Sequence, residues 1–143
     1  MHIRQQIREE AVTLASGLTT TGSNVYNEQL FPLEQDELPA WVVFTRNEDI
    51  ESDSMGGGQM RQLEVLFSGN ARGTNGRNLK NTLDTMLEEL EEVALKTAFT
   101  NVSAFELISV EYEPDVEETD AAMGELVVTY RATYFTTQGA PSA

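Results

Sequence analysis

The chain has 143 residues, enough to bury a core unaided, and no cysteine, which removes disulfides, thiolate nucleophiles and cysteine-bound metals from consideration. Its 24 acidic residues against 9 basic ones leave a net charge of -15, the wrong sign for a surface that tracks phosphate backbones. The longest apolar run, Trp41-Val42-Val43-Phe44, is far short of the about 20 residues of a membrane span, and the opening residues lack the apolar stretch of a leader. The expectation is a soluble protein that stays where it is made, with no membrane and no sequence-specific nucleic-acid partner.

In chain order, Ile3, Ile7, Ala11, Leu14 and Leu18 recur at steps of four, four, three and four, which predicts an amphipathic helix. Gly17 and the cluster Thr19 to Asn24 end it. Val25-Tyr26 reads as a short strand, and Asn27 to Pro39 as an irregular connection. Ala40 to Thr45 is β-branched, aromatic and too short for a helix, hence a buried strand with Trp41 in the core. Arg46 to Met60 is polar, acidic and carries Gly56-Gly57-Gly58, the pattern of a mobile hairpin tip or long loop.

Leu63, Val65 and Phe67 alternate with polar neighbours, with Leu66 as the exception, and predict a strand with one buried face. Gly69 to Gly76 reads as a glycine-rich turn. Leu79, Leu83, Met86, Leu87, Leu90, Val93 and Ala94 then mark a second helix running to Lys96 and ending near Phe99-Asn101, with Glu88, Glu89, Glu91 and Glu92 on its solvated side. Phe105 to Tyr112 is a strand whose phase slips at Leu107-Ile108, as at a bulge or in a two-sided strand. Pro114 to Ala122 is an acidic loop, and Leu126 to Tyr134 alternates cleanly as the last strand. These elements make an α+β fold: a mostly antiparallel four- or five-stranded sheet with two amphipathic helices on one face. It occupies residues 1–137 as one domain, with 138–143 as a flexible C-terminal tail.

Chemistry-bearing constellations are scarce. His2 stands at the N-terminus without a partner to orient it, and reads as incidental. Neither Glu48, Asp49, Glu51 and Asp53 nor Asp115, Glu117, Glu118 and Asp120 has the spacing of a calcium loop. They read as solvated acidic loops, or as weak divalent-ion bridges between subunits. Gly56-Gly57-Gly58 lacks the lysine and hydroxyl of a phosphate loop, and Gly69 to Gly76 matches no nucleotide fingerprint. No nucleophile–base pair is recognisable, so an enzyme is not expected and no cofactor is implied.

Four stretches carry a family resemblance: the opening helix Ile3 to Val12; Leu38-Pro39-Ala40-Trp41-Val42-Val43-Phe44-Thr45 with the acidic Glu48-Asp49-Ile50-Glu51 after it; Arg61 to Phe67; and Gly124 to Tyr134. Together they resemble the tail terminator proteins of long-tailed bacteriophages, the group that includes the lambda minor tail protein U. The glycine-rich stretches and the heptad-like second helix depart from that pattern.

The resemblance implies an α+β subunit of a hexameric ring that caps the tail tube, stops its polymerisation and presents a head-docking surface. The implied partners are further copies of the chain, the major tail tube protein and the head–tail connector proteins. The implied location is the head-proximal end of the virion tail, reached from the host cytoplasm. An acidic ring suits passage of DNA, because it does not hold phosphates. Within this frame the interface candidates are Glu48, Asp49, Glu51, Asp53, Met55 and Gln59 on the long connection, and Asp115, Glu117, Glu118 and Asp120 on the acidic loop, with the tail Thr136 to Ala143 beside them. The competing readings are another neck protein, in head–tail joining or tail completion, and a monomeric acidic adaptor that mimics nucleic acid.

Overall fold

A computed structural model describes residues 2–28, 38–52, 57–73, 76–115 and 122–137. The elements run α1 (Ile3–Ala15), β1 (Val25–Asn27), β2 (Ala40–Ser52), β3 (Gly58–Gly73), α2 (Gly76–Lys96), β4 (Ala104–Asp115) and β5 (Ala122–Thr137). The five strands form one sheet in the order β1-β2-β3-β5-β4. Only β1 with β2 is parallel; the other pairings are antiparallel. Both helices pack on one face, as the two periodicities predict.

The helices form where apolar stripes meet the sheet. α1 buries Ile3, Ile7, Ala11, Leu14 and Ala15, and α2 buries Leu79, Leu83, Met86, Leu90 and Ala94. α1 stops at Ala15 and not at Leu18, because Gly17 and Gly22 take positive φ and exchange backbone hydrogen bonds within the 17–22 turn. α2 stops at Lys96, short of Phe99. His2 is not incidental: its Nδ1 accepts the Arg4 backbone N–H at 3.0 Å and caps α1.

Beneath the helices lies an aromatic file that crosses the sheet. Trp41 on β2 meets Phe67 on β3 edge-on, Phe67 meets Tyr130 on β5, and Tyr130 stacks on Phe105 of β4 with ring centroids 4.5 Å apart. Phe99, just past α2, closes the file against Phe105 at 4.3 Å. Such contacts add directional preference to the burial of large apolar area.

Three sequence expectations change. The stretch Arg46 to Met60 is mostly not a loop: β2 continues to Ser52 and β3 begins at Gly58, so a long β-ribbon replaces it. Period-2 hydrophobicity fails as a guide there because this ribbon reaches past the helices, where no apolar face needs covering. A bulge between Thr45 and Glu48 absorbs the change of register. Second, Gly69 to Gly73 is strand, not turn. Its glycines are there for close approach: a Cβ on Gly69 would stand 2.8 Å from the Trp41 ring, and one on Gly73 would stand 2.6 Å from the backbone nitrogen of Leu79 as α2 passes over the strand. Third, Leu66 is buried on the sheet face away from the helices, opposite Phe44 and Thr129, so β3 is not one-sided. The phase slip at Leu107-Ile108 is a real irregularity in the β4–β5 pairing. The anticipated tail 138–143 and residues 116–121 of the acidic loop lie outside the described residues.

Candidate functional site

The β2–β3 ribbon is built in two parts. Near β1 its inner face is Trp41, Val43, Val65 and Phe67, all fully buried. Beyond the bulge the inner face changes character: Glu48 and Ile50 on β2, Arg61 and Gln59 on β3, Tyr134 and Thr136 on β5. Because residues directly opposite one another in a sheet point to the same side, these polar groups share the helix-facing side.

Glu48 is the centre of this second part. Its side chain is 6% exposed, so the bland expectation of a solvated carboxylate does not hold. Tyr134 donates its hydroxyl hydrogen bond to Oε1. Arg4, from the first turn of α1, donates to Oε2 at 3.3 Å, and the buried Arg61 guanidinium lies 3.8 Å from the same oxygen. Arg61 also donates to Gln59 Oε1 at 3.1 Å, an oxygen that Thr136 approaches at 3.5 Å. The knot therefore ties the root of the ribbon to α1 and to β5. Burial and the bond to Glu48 push the Tyr134 phenol well above its ordinary range, and burial with the nearby Glu91 pushes Tyr130 up to about 12. Both rings are neutral at physiological pH and Tyr134 acts as a donor.

The sequence-nominated residues separate on this scaffold. Asp49 and Glu51 are exposed on the face away from the helices. Glu48 and Gln59 instead hold the ribbon together. Asp53 and Met55 lie outside the described residues, as do Glu117, Glu118 and Asp120; Asp115 ends β4 opposite Met123. Gly58 pairs with Thr137 and Gly73 with Ala122, so the described ends of β2–β3 and of β4–β5 stand at opposite ends of a sixteen-residue strand, about 50 Å apart at the usual rise.

Sequence reasoning missed Arg4, Arg61 and Tyr134 as partners of Glu48. A signal existed for one of them: Arg61 is a charge in the core phase of Leu63, Val65 and Phe67, and such a residue needs a partner, whereas Glu48 reaches that phase only through the bulge. Among the described residues no group of three or more His, Cys, Asp or Glu side chains is placed to hold a metal ion. Two hollows among the described residues are open surface features, one of about 400 Å³ along the outer side of α2 and one of about 240 Å³ beside the 17–19 turn. The described residues present the far ends of β2 and β3, the ends of β4 and β5 at the other end of the sheet, and charged helix sides.

No protein-family model matches the chain, and no curated protein does. Among solved structures the chain is similar to one from the virion of a native gene transfer agent particle, with a TM-score of 0.55 over 94% of this chain and 92% of that one. The identity is 16%, so what the two share is the fold.

Proposed function

We propose that this chain is a structural component of a phage-like tail, and specifically a tail terminator: a hexameric ring that caps the tube, stops its growth and offers a docking surface to the head. The observation that carries the reading is the shared fold, nearly end to end, with a chain of a virion particle. The two-ended architecture supports it. A terminator touches the tube on one side and the head–tail connector on the other, and the strand ends at Gly58 and Thr137 lie at the opposite end of the sheet from those at Gly73 and Ala122. Connecting segments on a rigid scaffold are where recognition concentrates. Its partners are then other copies of itself, the tail tube protein and the connector, and its place is the head-proximal end of the tail.

The acidic-mimic alternative asks for one continuous acidic face. Asp49 and Glu51 lie on the sheet face opposite the helices, Glu88, Glu91 and Glu92 lie on α2, and Glu48 is buried, which scatters the charge.

Light scattering across protein concentration, with and without Mg²⁺, tests the ring. A hexamer, or a monomer driven to one, supports it; a monomer under all conditions and also on isolated tail tubes overturns it. Shortening the ribbon by removing the opposed pairs Glu51 with Met60 and Ser52 with Gln59 keeps the side-chain phase. This variant should fold and yet fail to stop tube growth. Normal termination by it would rule the ribbon out as the tube contact.

A further inference from the structure

The two lateral edges of the sheet differ in chemistry. On one side, α2 covers β3 and β5 and leaves β4 as an open edge strand. Lys80, Asp84, Leu87, Glu91 and Leu95 recur along α2 at spacings that place them on one side of the helix. That side looks toward β4: Lys80 lies over the Tyr112 ring at 5.8 Å, and Glu91 acts on Tyr130, the residue opposite Leu107. Leu107 and Val110 share the helix-facing side of β4, since they pair with Tyr130 and Val128 of the core. They are 41% and 40% exposed, and Leu95 above them is 88% exposed. The result is a shallow trough with Leu107 and Val110 on its floor and Asp84 and Glu91 on its α2 rim, and its α2 wall shares Asp84, Leu87, Glu91 and Leu95 with the hollow on the outer side of the helix.

On the other side, α1 and β2 gather Arg4, Arg8 and Arg46. Each has one carboxylate partner, at 3.3 Å (Glu48), 3.6 Å (Glu28) and 2.8 Å (Glu64) respectively. A guanidinium carries five N–H donors, so one carboxylate leaves capacity for another on Arg4 and Arg46, whose side chains are half exposed. The neighbouring Ile50 is half exposed.

We infer that, within the ring proposed above, the α2–β4 trough of one copy receives the arginine-bearing α1–β2 edge of the next. Charge complementarity selects a second copy in this orientation. Joining like edges, β4 to β4, sets Glu106, Glu111 and Glu113 of the two copies against one another, which repels. Joining unlike edges sets arginines against the acidic rim and apolar surface against Ile50. A contact between unlike surfaces propagates head to tail, and it closes into a ring when its rotation allows. The inference rests on the ring reading, and it goes further by naming the surfaces.

The absence of cysteine permits a clean test. The double variant Leu95→Cys with Asn47→Cys carries one thiol in the trough and one beside Arg46, and is treated with a short bismaleimide. A ladder of cross-linked multimers from the double variant, with neither single variant giving dimers, is the expected result. A ring by light scattering that gives no ladder, or dimers from either single variant, overturns this interface and leaves the ring standing. A monomer throughout, with no ladder, removes the ring and this contact with it.

Charge reversal provides the second measurement. Arg46→Glu and Glu91→Arg should each raise the concentration at half assembly about tenfold or more, and the double reversal should recover most of the loss. Additive losses in the double variant would overturn the pairing. Arg46 is half exposed and its bridge to Glu64 lies at the surface, so its reversal leaves the fold in place.

Discussion

The two halves of the β2–β3 ribbon are continuous in backbone and opposite in what holds them. The near half is gripped by hydrophobic burial: Trp41, Val43, Val65 and Phe67 lie under the helices and inside the aromatic file. The far half extends beyond that cover and is held at its root by one carboxylate with Tyr134, Arg61 and Arg4 around it. A non-directional force suffices where apolar layers meet. Around Glu48 water is still excluded, but the groups covered are charged or polar, and directional bonds take over. The difference predicts that damage to the near half unfolds the protein, whereas damage to the knot loosens the far half alone.

The largest effect should come from Trp41→Ala, which empties a fully buried site and breaks the file. A loss of about 3–5 kcal/mol is expected, read as a drop in the denaturant midpoint of the whole transition. Glu48→Ala should cost about 3 kcal/mol, because it strands the buried Arg61 charge. Its signature is spatial. Hydrogen exchange should accelerate at Asp49–Ser52 and Gly58–Arg61 while Phe67 and Val128 stay protected. Uniform acceleration would mean that the knot supports the core, and the contrast between the halves would collapse. Arg4→Ala should cost under about 1 kcal/mol, since that partner is half exposed.

Gly73→Ala separates close approach from turn formation at the glycine-rich stretch. A Cβ there meets α2 backbone, which cannot swing aside as a side chain can. About 1–3 kcal/mol of destabilisation is expected from thermal melts. A neutral result would show that α2 can lift off the strand.

Alkaline and acid titrations sharpen the comparison least, but they have definite signs. Tyr130 and Tyr134 titrate higher in the folded chain than in the unfolded one. Their contribution is intact below pH 10, the unfolded value, and stability falls as pH rises above it. Tyr134→Phe should flatten part of that fall in a pH series of melts. His2 titrates below its ordinary value because burial and the nearby Arg4 disfavour its charged form. Protonation also removes the cap acceptor. Stability should therefore dip slightly as pH falls below 6.5, and His2→Ala should abolish the dip at a cost of about 0.5–2 kcal/mol.

The fold class was legible from periodicity. The stripe from Ile3 to Leu14, the stripe from Leu79 to Ala94 and the alternation from Leu126 to Tyr134 each demanded one buried side, and two helices over an antiparallel sheet satisfy all three. The candidate surface was legible only in part. Asp49 and Glu51 are exposed, but Glu48 beside them is buried, because the bulge after Thr45 turns it to the inner side.

Apolar spacing by itself determined which segments are helices and strands and which side of each faces inward, since burial is decided residue by residue along the chain. The length of the ribbon, the purpose of Gly69 and Gly73, the partners of Glu48 and the unlike edges at β4 and α1–β2 were decided only in the folded chain. Each depends on groups far apart in sequence: Glu48 meets Tyr134 across 86 positions, and Gly73 is constrained by the helix that follows it. A local pattern can show that a strand has an inner face. What stands against that face is decided only when the sheet closes over its helices.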